Sequence, residues 1–260
     1  MDFNHKFYIQ SVHRALNLVQ AIAEYSQGGC RLQELSERVQ LPISTVYRII
    51  QNLVDCQYVT EHEDGRYTLG MELARLGALA QENNDIVSLA HPLLQELSHQ
   101  SGQTVYLARL DKASASVVYV DKVENEGNIK LAATVGDKNS IHATANGKTL
   151  VSEMSKDELC GLLELTNMTA ITPNTITRVD QYLAEVEQVR RRGFALDLEE
   201  NEKNVICVSA PIRNHLGEIV AAVSISGIAG ITIRSDPSLN GPMVMNVARI
   251  ISEKMGYKAE

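Results

Sequence analysis

A chain of 260 residues with 44% hydrophobic and 22% charged residues has the composition of an ordinary globular protein, with length for one large domain or two modest ones. No apolar run approaches the roughly 18 residues of a membrane-spanning helix, and the opening "MDFNHKFYIQ" lacks the pattern of an export signal, so a cytoplasmic address is expected. The net charge of −8 excludes a protein that coats nucleic acid by bulk electrostatics, and Cys30, Cys56, Cys160 and Cys207 form neither a zinc pattern nor a disulfide framework, so neither metal nor cofactor is expected.

Residues 11 to 26 place Val12, Ala15, Leu16, Val19, Ile22 and Ala23 at helical spacing, and "SQGG" supplies a stop. A second short helix, "LQELSERVQ", offers Leu32, Leu35 and Val39 to a core and ends at "LPI", where proline lacks the donor a continuing helix needs. A third begins near Ser44, with Val46, Ile49, Ile50 and Leu53 on one stripe and Thr45, Arg48, Gln51 and Asn52 opposite. In "YVTEHEDGRYTLG", two β-prone runs flank Asp64-Gly65, a dipeptide suited to a tight hairpin turn. Met71 to Asp85 reads as a connecting helix with an apolar stripe of Leu73, Leu76, Leu79 and Ala80. Beyond it the pattern predicts a helix in "IVSLAHPLLQELSHQSG" and strands in "QTVYLARL" and "ASVVYVDKV". Helices follow around 147 to 165 and 178 to 193, strands at about 205 to 213 and 218 to 227, and a terminal helix at about 238 to 256. The class is α+β with a central antiparallel sheet, divided as 9–70, 71–85 and 86–260.

Helix, helix, turn, helix, hairpin is the order of a winged helix-turn-helix, in which the second helix of the motif enters the major groove. Ser44, Thr45, Tyr47, Arg48 and Gln51 form its candidate reading face. The hydroxyls suit phosphate oxygens, and Arg48 suits a guanine edge or the backbone. Arg66, beside the hairpin turn, is the candidate phosphate contact of the wing. The plain alternative makes Ser44 a helix cap and Arg48 a solvated charge; the hairpin at the right distance favours the reading face. Through residue 80, seven Lys and Arg face nine Asp and Glu, so any DNA contact is local.

In the C-terminal half, alternation in "EIVAAVSISG" puts Ile219, Ala221, Val223 and Ile225 on one face and Val220, Ala222, Ser224 and Ser226 on the other. "NVICVSAPI" behaves likewise, with Ile206 and Val208 opposite Cys207 and Ser209. Paired through "RNHLGE", the small polar residues line either a compact concavity or a solvent-facing sheet surface. "HATANGKTL" opens a helix with small residues, so the backbone N–H groups of Ala145, Asn146 and Gly147 suit a carboxylate; Lys148 reads as a surface charge or helix pair. The four acids of "DLEENEKN" read as a solvated face or cap network, and Cys207 as an inert thiol, with a catalytic pair to His142 left open.

These segments resemble the IclR family of bacterial transcription regulators over nearly the whole chain. "SVHRALNLVQAI", "LSERVQLPISTVYRIIQNLVDCQYV" and "GRYTLG" are similar to its winged helix-turn-helix; "HATANGKTL" and "GFALDLEENEKNVICVSAPIRNHLGEIVAAVSISG" are similar to its effector domain. The resemblance implies a GAF-like effector-binding domain joined to the DNA domain by a helix. It also implies a homodimer or homotetramer on a palindromic double-stranded DNA operator, no membrane partner and no enzymatic activity. It implies a small carboxylate effector, with a sugar acid expected because this resemblance often goes with carbon catabolism. By motif position it assigns Ala145 and Asn146 to the anion, and Asp197, Cys207, Ser224 and Ser226 to the pocket. Where the family usually has glycine three residues before the cysteine this chain has Asn204, which tolerates a left-handed conformation, and after "SISG" the usual proline is Ile228. A cysteine-dependent enzyme acting through Cys207 is the competing reading.

Overall fold

The computed structural model describes residues 9–25, 28–83, 86–125, 131–230 and 237–258. The chain divides into two compact units, Met1–Asn83 and Asn84–Glu260. In the first, helices α1 (Gln10–Ala23), α2 (Leu32–Val39) and α3 (Ile43–Asp55) enclose a core of Leu18, Ala21, Ile22, Leu35, Val46 and Ile50. Helix α2 ends where Gln40 takes a left-handed conformation at φ 54°, and Pro42 caps the start of α3. The buried face of α1 differs from the expected stripe: Val12 and Leu16 are exposed and Leu18 and Ala21 are inside. Helix α1 carries two apolar faces, and α2 and α3 cover only one of them. Ser26, within the expected first helix and its stop, lies outside the described residues.

Strand β1 (Cys30–Arg31) pairs with β3 (Arg66–Leu69), which pairs with β2 (Val59–Glu61) to make the wing. Gly65 turns the β2–β3 hairpin at φ 78°. Gly29 and Gly70 are tied to glycine by crowding, since a Cβ on either would lie 2.6 Å from Tyr67 O or 2.1 Å from Gln57 O. Helix α4 (Met71–Asn83) follows, with Leu73 and Leu76 half-buried and Leu79 exposed. The Ala80 side chain, Asn84 and Asp85 lie outside the described residues.

The second unit is a six-stranded antiparallel sheet in the order β6-β5-β4-β9-β8-β7, formed by β4 (Thr104–Asp111), β5 (Ser116–Val123), β6 (Lys138–Ser140), β7 (Ala195–Leu198), β8 (Val205–Arg213) and β9 (Ile219–Ile228). Helices α5 (Ile86–Ser101) and α9 (Gly241–Lys254) cover one face against Val105, Leu107, Val208, Ile212, Val223 and Ile225. Helices α6 (Ala145–Leu150), α7 (Lys156–Thr166) and α8 (Val179–Arg192) belong to the other side, where Tyr106, Tyr119, Ala222 and Ile141 form a second core. Both faces are therefore covered, and Ser209, Ser224 and Ser226 are buried rather than solvent-facing.

Two expectations change here. The helix expected around 147 to 165 is two helices, because Ser155 and Glu158 form a capping box that starts α7 afresh. A bulge shifts the register between Ile212 and Arg213, pairing Ala221 with Ile212 but Ile219 with Arg213. Ile219 thus packs with the second core and Val220 with the first, opposite to strict alternation. Among the described residues no helix is long and apolar enough to cross a membrane.

Candidate functional site

Helix α3 presents Ser44, Tyr47 and Arg48 to solvent, with Thr45 and Gln51 half-buried beside them. The burial of Val46 and Ile50 fixes this orientation, since both are fully inside the core. The cap is Pro42, so Ser44 has no capping role. Gln51 Nε2 donates to Glu61 Oε2 on β2 at 3.0 Å, tying helix to wing, and Asn52 Nδ2 donates back to Arg48 O at 2.6 Å. Thr45 and Arg48 line one groove with Gln10, Arg14 and Asn52, a lining with two guanidiniums and no carboxylate in an acidic chain. Arg66 sits at the turn, where its guanidinium donates to Gly29 O at 3.1 Å and pairs with Asp64 at 3.4 Å.

In the second unit the sheet register assembles residues that are distant in sequence. Asp197 stands opposite Cys207, and Cys207 opposite Ser226; one row over, Ala195 faces Ser209 and Ser209 faces Ser224. The α6 start closes on these rows. Ser209 Oγ donates to Asn146 Oδ1 at 2.7 Å and Asn146 Nδ2 donates to Ser224 Oγ at 2.9 Å, which draws the amide side chain down onto the strands. Gly147 is needed for this approach, because a Cβ there would lie 2.2 Å from Ile141 O. Its N–H is held by Thr144 Oγ1 at 3.0 Å and that of Lys148 by Thr144 O at 3.1 Å. Among the described residues no partner takes the N–H of Ala145 or Asn146.

A cavity of about 30 Å³ lies here, and Ala145, Asn146, Asp197, Cys207 and Ser226 line it together with Tyr106, Tyr119 and Glu202. Ser224 and Gly147 stand behind its wall, supporting Asn146 and the turn. The volume is about that of one water molecule. Ser226 Oγ donates to Cys207 Sγ at 3.1 Å. The two tyrosines, whose rings stack at 4.6 Å between centroids, went unnoticed in the sequence; their alternation with Val105, Leu107 and Val120 was the available signal.

The acidic run "DLEENEKN" is not a solvated face throughout. Asp197 and Glu200 are buried, and Lys148, read as a surface charge, is 1% exposed. Its ammonium donates to Glu200 Oε1 at 2.5 Å and to Leu196 O at 2.8 Å. Strand β7 carries the run beneath α6, and a buried carboxylate in that position requires a buried cation. The N–H of Glu200 donates to Asp197 Oδ1 at 2.7 Å. Burial pushes the Asp197 carboxyl up to about 7 against the pull of that N–H, and burial likewise raises Glu200 against the attraction of Lys148. Asn204 adopts the left-handed conformation expected of it, at φ 62°.

The surroundings of Cys207 disfavour a nucleophile. Burial first, then the charge of Asp197, pushes the thiol well above its ordinary value, so thiolate is scarce at neutral pH. His142 is engaged through both ring nitrogens, Nδ1 with Ser140 Oγ at 2.5 Å and Nε2 with Thr169 O at 3.1 Å, and burial lowers its pKa. Among the described residues no group of three or more His, Cys, Asp and Glu side chains is arranged to hold a metal.

Comparison with known proteins agrees with this architecture. Residues 11–63 match the IclR helix-turn-helix domain and residues 78–253 match the bacterial transcriptional regulator IclR C-terminal domain. The chain is 34% identical to the HTH-type transcriptional regulator KdgR of Escherichia coli over 253 residues, covering 96% of this chain and 94% of KdgR. It is 32% identical to the regulator XynR of the same organism, covering 96% and 99% of the two chains. The crystal structure of the Thermotoga maritima IclR superposes with TM-score 0.62 at 31% identity, covering 96% of this chain and all of that one. The Agobacterium tumefaciens repressor BlcR, 23% identical, shares the fold with TM-score 0.79 over 96% and 99% of the chains. With a wing, a reading helix and an effector domain in one chain, this protein is a DNA-binding transcription regulator that belongs to the IclR family.

Proposed function

We propose that the regulator acts in the cytoplasm as a homodimer or homotetramer on a palindromic operator, and that it responds to a small hydroxylated carboxylate without turning it over. In this reading residues 9–70 bind DNA, 71–85 connect, and 86–260 bind the effector. Arg48 contacts a base edge or phosphate, Ser44, Thr45, Tyr47 and Gln51 complete the face, and Arg66 reaches a phosphate from the wing. A sugar acid is the effector class carried over from the sequence.

The observation that carries the effector reading is the pairing, across one small cavity, of the two unengaged N–H groups at Ala145 and Asn146 with Asp197, Cys207 and Ser226. The N–H pair suits a carboxylate, and the side chains suit hydroxyls. A ligand larger than the cavity of about 30 Å³ needs the domain to open around it, so binding shifts the domain toward a more open arrangement. The test is an operator titration with the fragment upstream of the protein's own gene, with and without a panel of sugar acids and keto acids. The expected result is retardation that Arg48→Ala abolishes with the fold intact, and a midpoint that one acid moves by about 5–150-fold. Unchanged retardation by the Arg48 variant, or Ser226→Ala responding at wild-type effector concentration, overturns the respective half.

A further inference from the structure

Among the described residues, no lysine or arginine lines the cavity. Its two charged residues are the carboxylates Asp197, buried, and Glu202, exposed at the rim. Of the cations near it along the chain, Lys148 is engaged by Glu200 and Leu196 O and Lys122 by Glu124 at 2.9 Å and Leu131 O at 2.9 Å, while Lys203, beside Glu202, is exposed and outside the lining. The phenol of Tyr106 donates to Ala133 O at 3.2 Å, so it is not a free donor toward the cavity. Beyond the two N–H groups at the start of α6, the side of the site formed by Asp197 and Glu202 therefore presents carboxylate acceptors. A ligand atom on that side has to donate hydrogen bonds, and a second ligand carboxylate there meets like charge in a poorly solvated space.

We propose that this cavity selects a monocarboxylate whose far end carries hydrogen-bond donors, either hydroxyl or ammonium, and rejects the matching dicarboxylate, with Glu202 as a specificity-determining residue. The proposal rests on the carboxylate-effector reading and deepens it. Asp197 faces inward beside Cys207 and sets the polarity of the floor, while Glu202 adds a second negative charge where the far end of a ligand enters. Exclusion of a competitor by unpaired like charge is a usual route to specificity where shape alone discriminates weakly.

The test is calorimetry on the full-length chain at pH 8, above the value near 7 to which burial pushes Asp197, so that both carboxylates carry charge. Two matched pairs serve as probes: gluconate against glucarate, and glycerate against tartronate, each pair differing by a terminal CH₂OH replaced with carboxylate. Isoserine, which carries ammonium in place of the far hydroxyl of glycerate, is added as its ammonium counterpart. The expected result is at least tenfold weaker binding of the dicarboxylate, and a ratio that Glu202→Gln narrows at least threefold. Preference for isoserine over glycerate identifies a far-end ammonium ligand and the reverse a hydroxylated one; either supports the proposal. A dicarboxylate that binds as tightly as its partner overturns the selectivity while leaving the carboxylate reading in place. An unchanged ratio in Glu202→Gln overturns the role of that residue. No binding by any of the five compounds overturns the carboxylate reading and the selectivity with it.

Discussion

Lys148→Met removes the cation from the most deeply buried ion pair among the described residues. The two side chains are 1% and 8% exposed and their charged atoms lie 2.5 Å apart. Without the ammonium, Glu200 Oε1 keeps only a long bond from the Leu198 N–H at 3.4 Å, and Oε2 is already buried with no partner. The carboxylate then stays charged in a poor dielectric or takes up a proton, and Leu196 O loses a donor. Breaking a buried pair on one side costs about 3–5 kcal/mol, a large share of the roughly 5–15 kcal/mol that holds a domain together. For a unit of this size that lowers the melting temperature by about 6–20 °C. Circular dichroism melts of wild type, Lys148→Met and the doubly apolar Lys148→Met, Glu200→Leu separate the causes. The double variant is expected to recover most of the loss, because paired charges contribute little over well-packed apolar groups. A single variant that melts within 2 °C of wild type, or a double variant no better than the single, refutes the account.

Asp197→Asn is expected to stabilise the second unit at pH 8 relative to pH 5. A carboxyl raised from 3.8 to about 7 binds its proton more tightly when folded, so its stability contribution is complete below pH 4 and lost as pH rises through 7, about 4 kcal/mol in all. Urea midpoints at the two pH values check it, and equal effects at both contradict it. Gly147→Ala drives a methyl to 2.2 Å from Ile141 O, an atom already held by the Tyr182 hydroxyl at 2.8 Å, so the turn has to move at a cost of about 1–3 kcal/mol; an unaltered melt argues against the close approach. A thiol reagent at pH 8 is expected to label exposed Cys56 first and half-buried Cys207 much more slowly, as intact mass and peptide mapping will show. Equal labelling of the two would restore Cys207 as a candidate nucleophile.

The parts of this molecule governed by local periodicity were readable in the sequence. Val46 and Ile50 are buried where helical spacing put them, and the outward set Thr45, Arg48 and Asn52 follows from that. The alternation of Val208, Val223 and Ile225 with Cys207, Ser224 and Ser226 likewise separates two faces of a sheet. What stayed hidden depends on partners far away in sequence. Nothing near Lys148 announces a carboxylate 52 residues on, and Glu200 looks like its solvated neighbours Glu199 and Glu202 until β7 is placed beneath α6. The bulge that turns Ile219 over adds one residue to one strand, a change of count that alternation cannot foresee. Strand β1, two residues long, has no period to detect. Ala145, Asn146, Asp197, Cys207 and Ser226 lie together at the cavity, but alternation gives no division of labour: Ser224 bonds Asn146 from behind the wall, whereas Ser226 reaches the cavity.

Next to α6 and the 198–200 turn the second sheet is held by a different kind of interaction from its α5–α9 face, and this bears on which part a ligand can move. Toward α5 and α9 the strands present Val208, Ala210, Ile212, Val223 and Ile225, close-packed apolar groups that lose dispersion contacts as soon as they separate. Toward α6 they present serines and a thiol, and the turn at 198–200 is fastened mainly by polar contacts: Thr172 Oγ1 to Glu199 O at 2.7 Å, Thr175 Oγ1 to Glu200 O at 2.7 Å, Asn174 Nδ2 to Leu198 O at 3.1 Å, and the Lys148 pair. Net, each neutral hydrogen bond of this kind contributes about 1 kcal/mol, and a ligand that supplies its own donors and acceptors can replace several of them at once. On the proposed effector reading, a ligand larger than a water molecule is expected to enter by displacing the α6 start and the 198–202 turn, leaving the strands and their apolar helices in place. Its leverage on DNA affinity is bounded by the difference in its affinity for the closed and opened forms, whatever its total binding strength. The same reading expects a tight ligand that leaves Asp197, Glu200 and the Ala145–Asn146 turn where they stand to bind the domain without changing operator affinity.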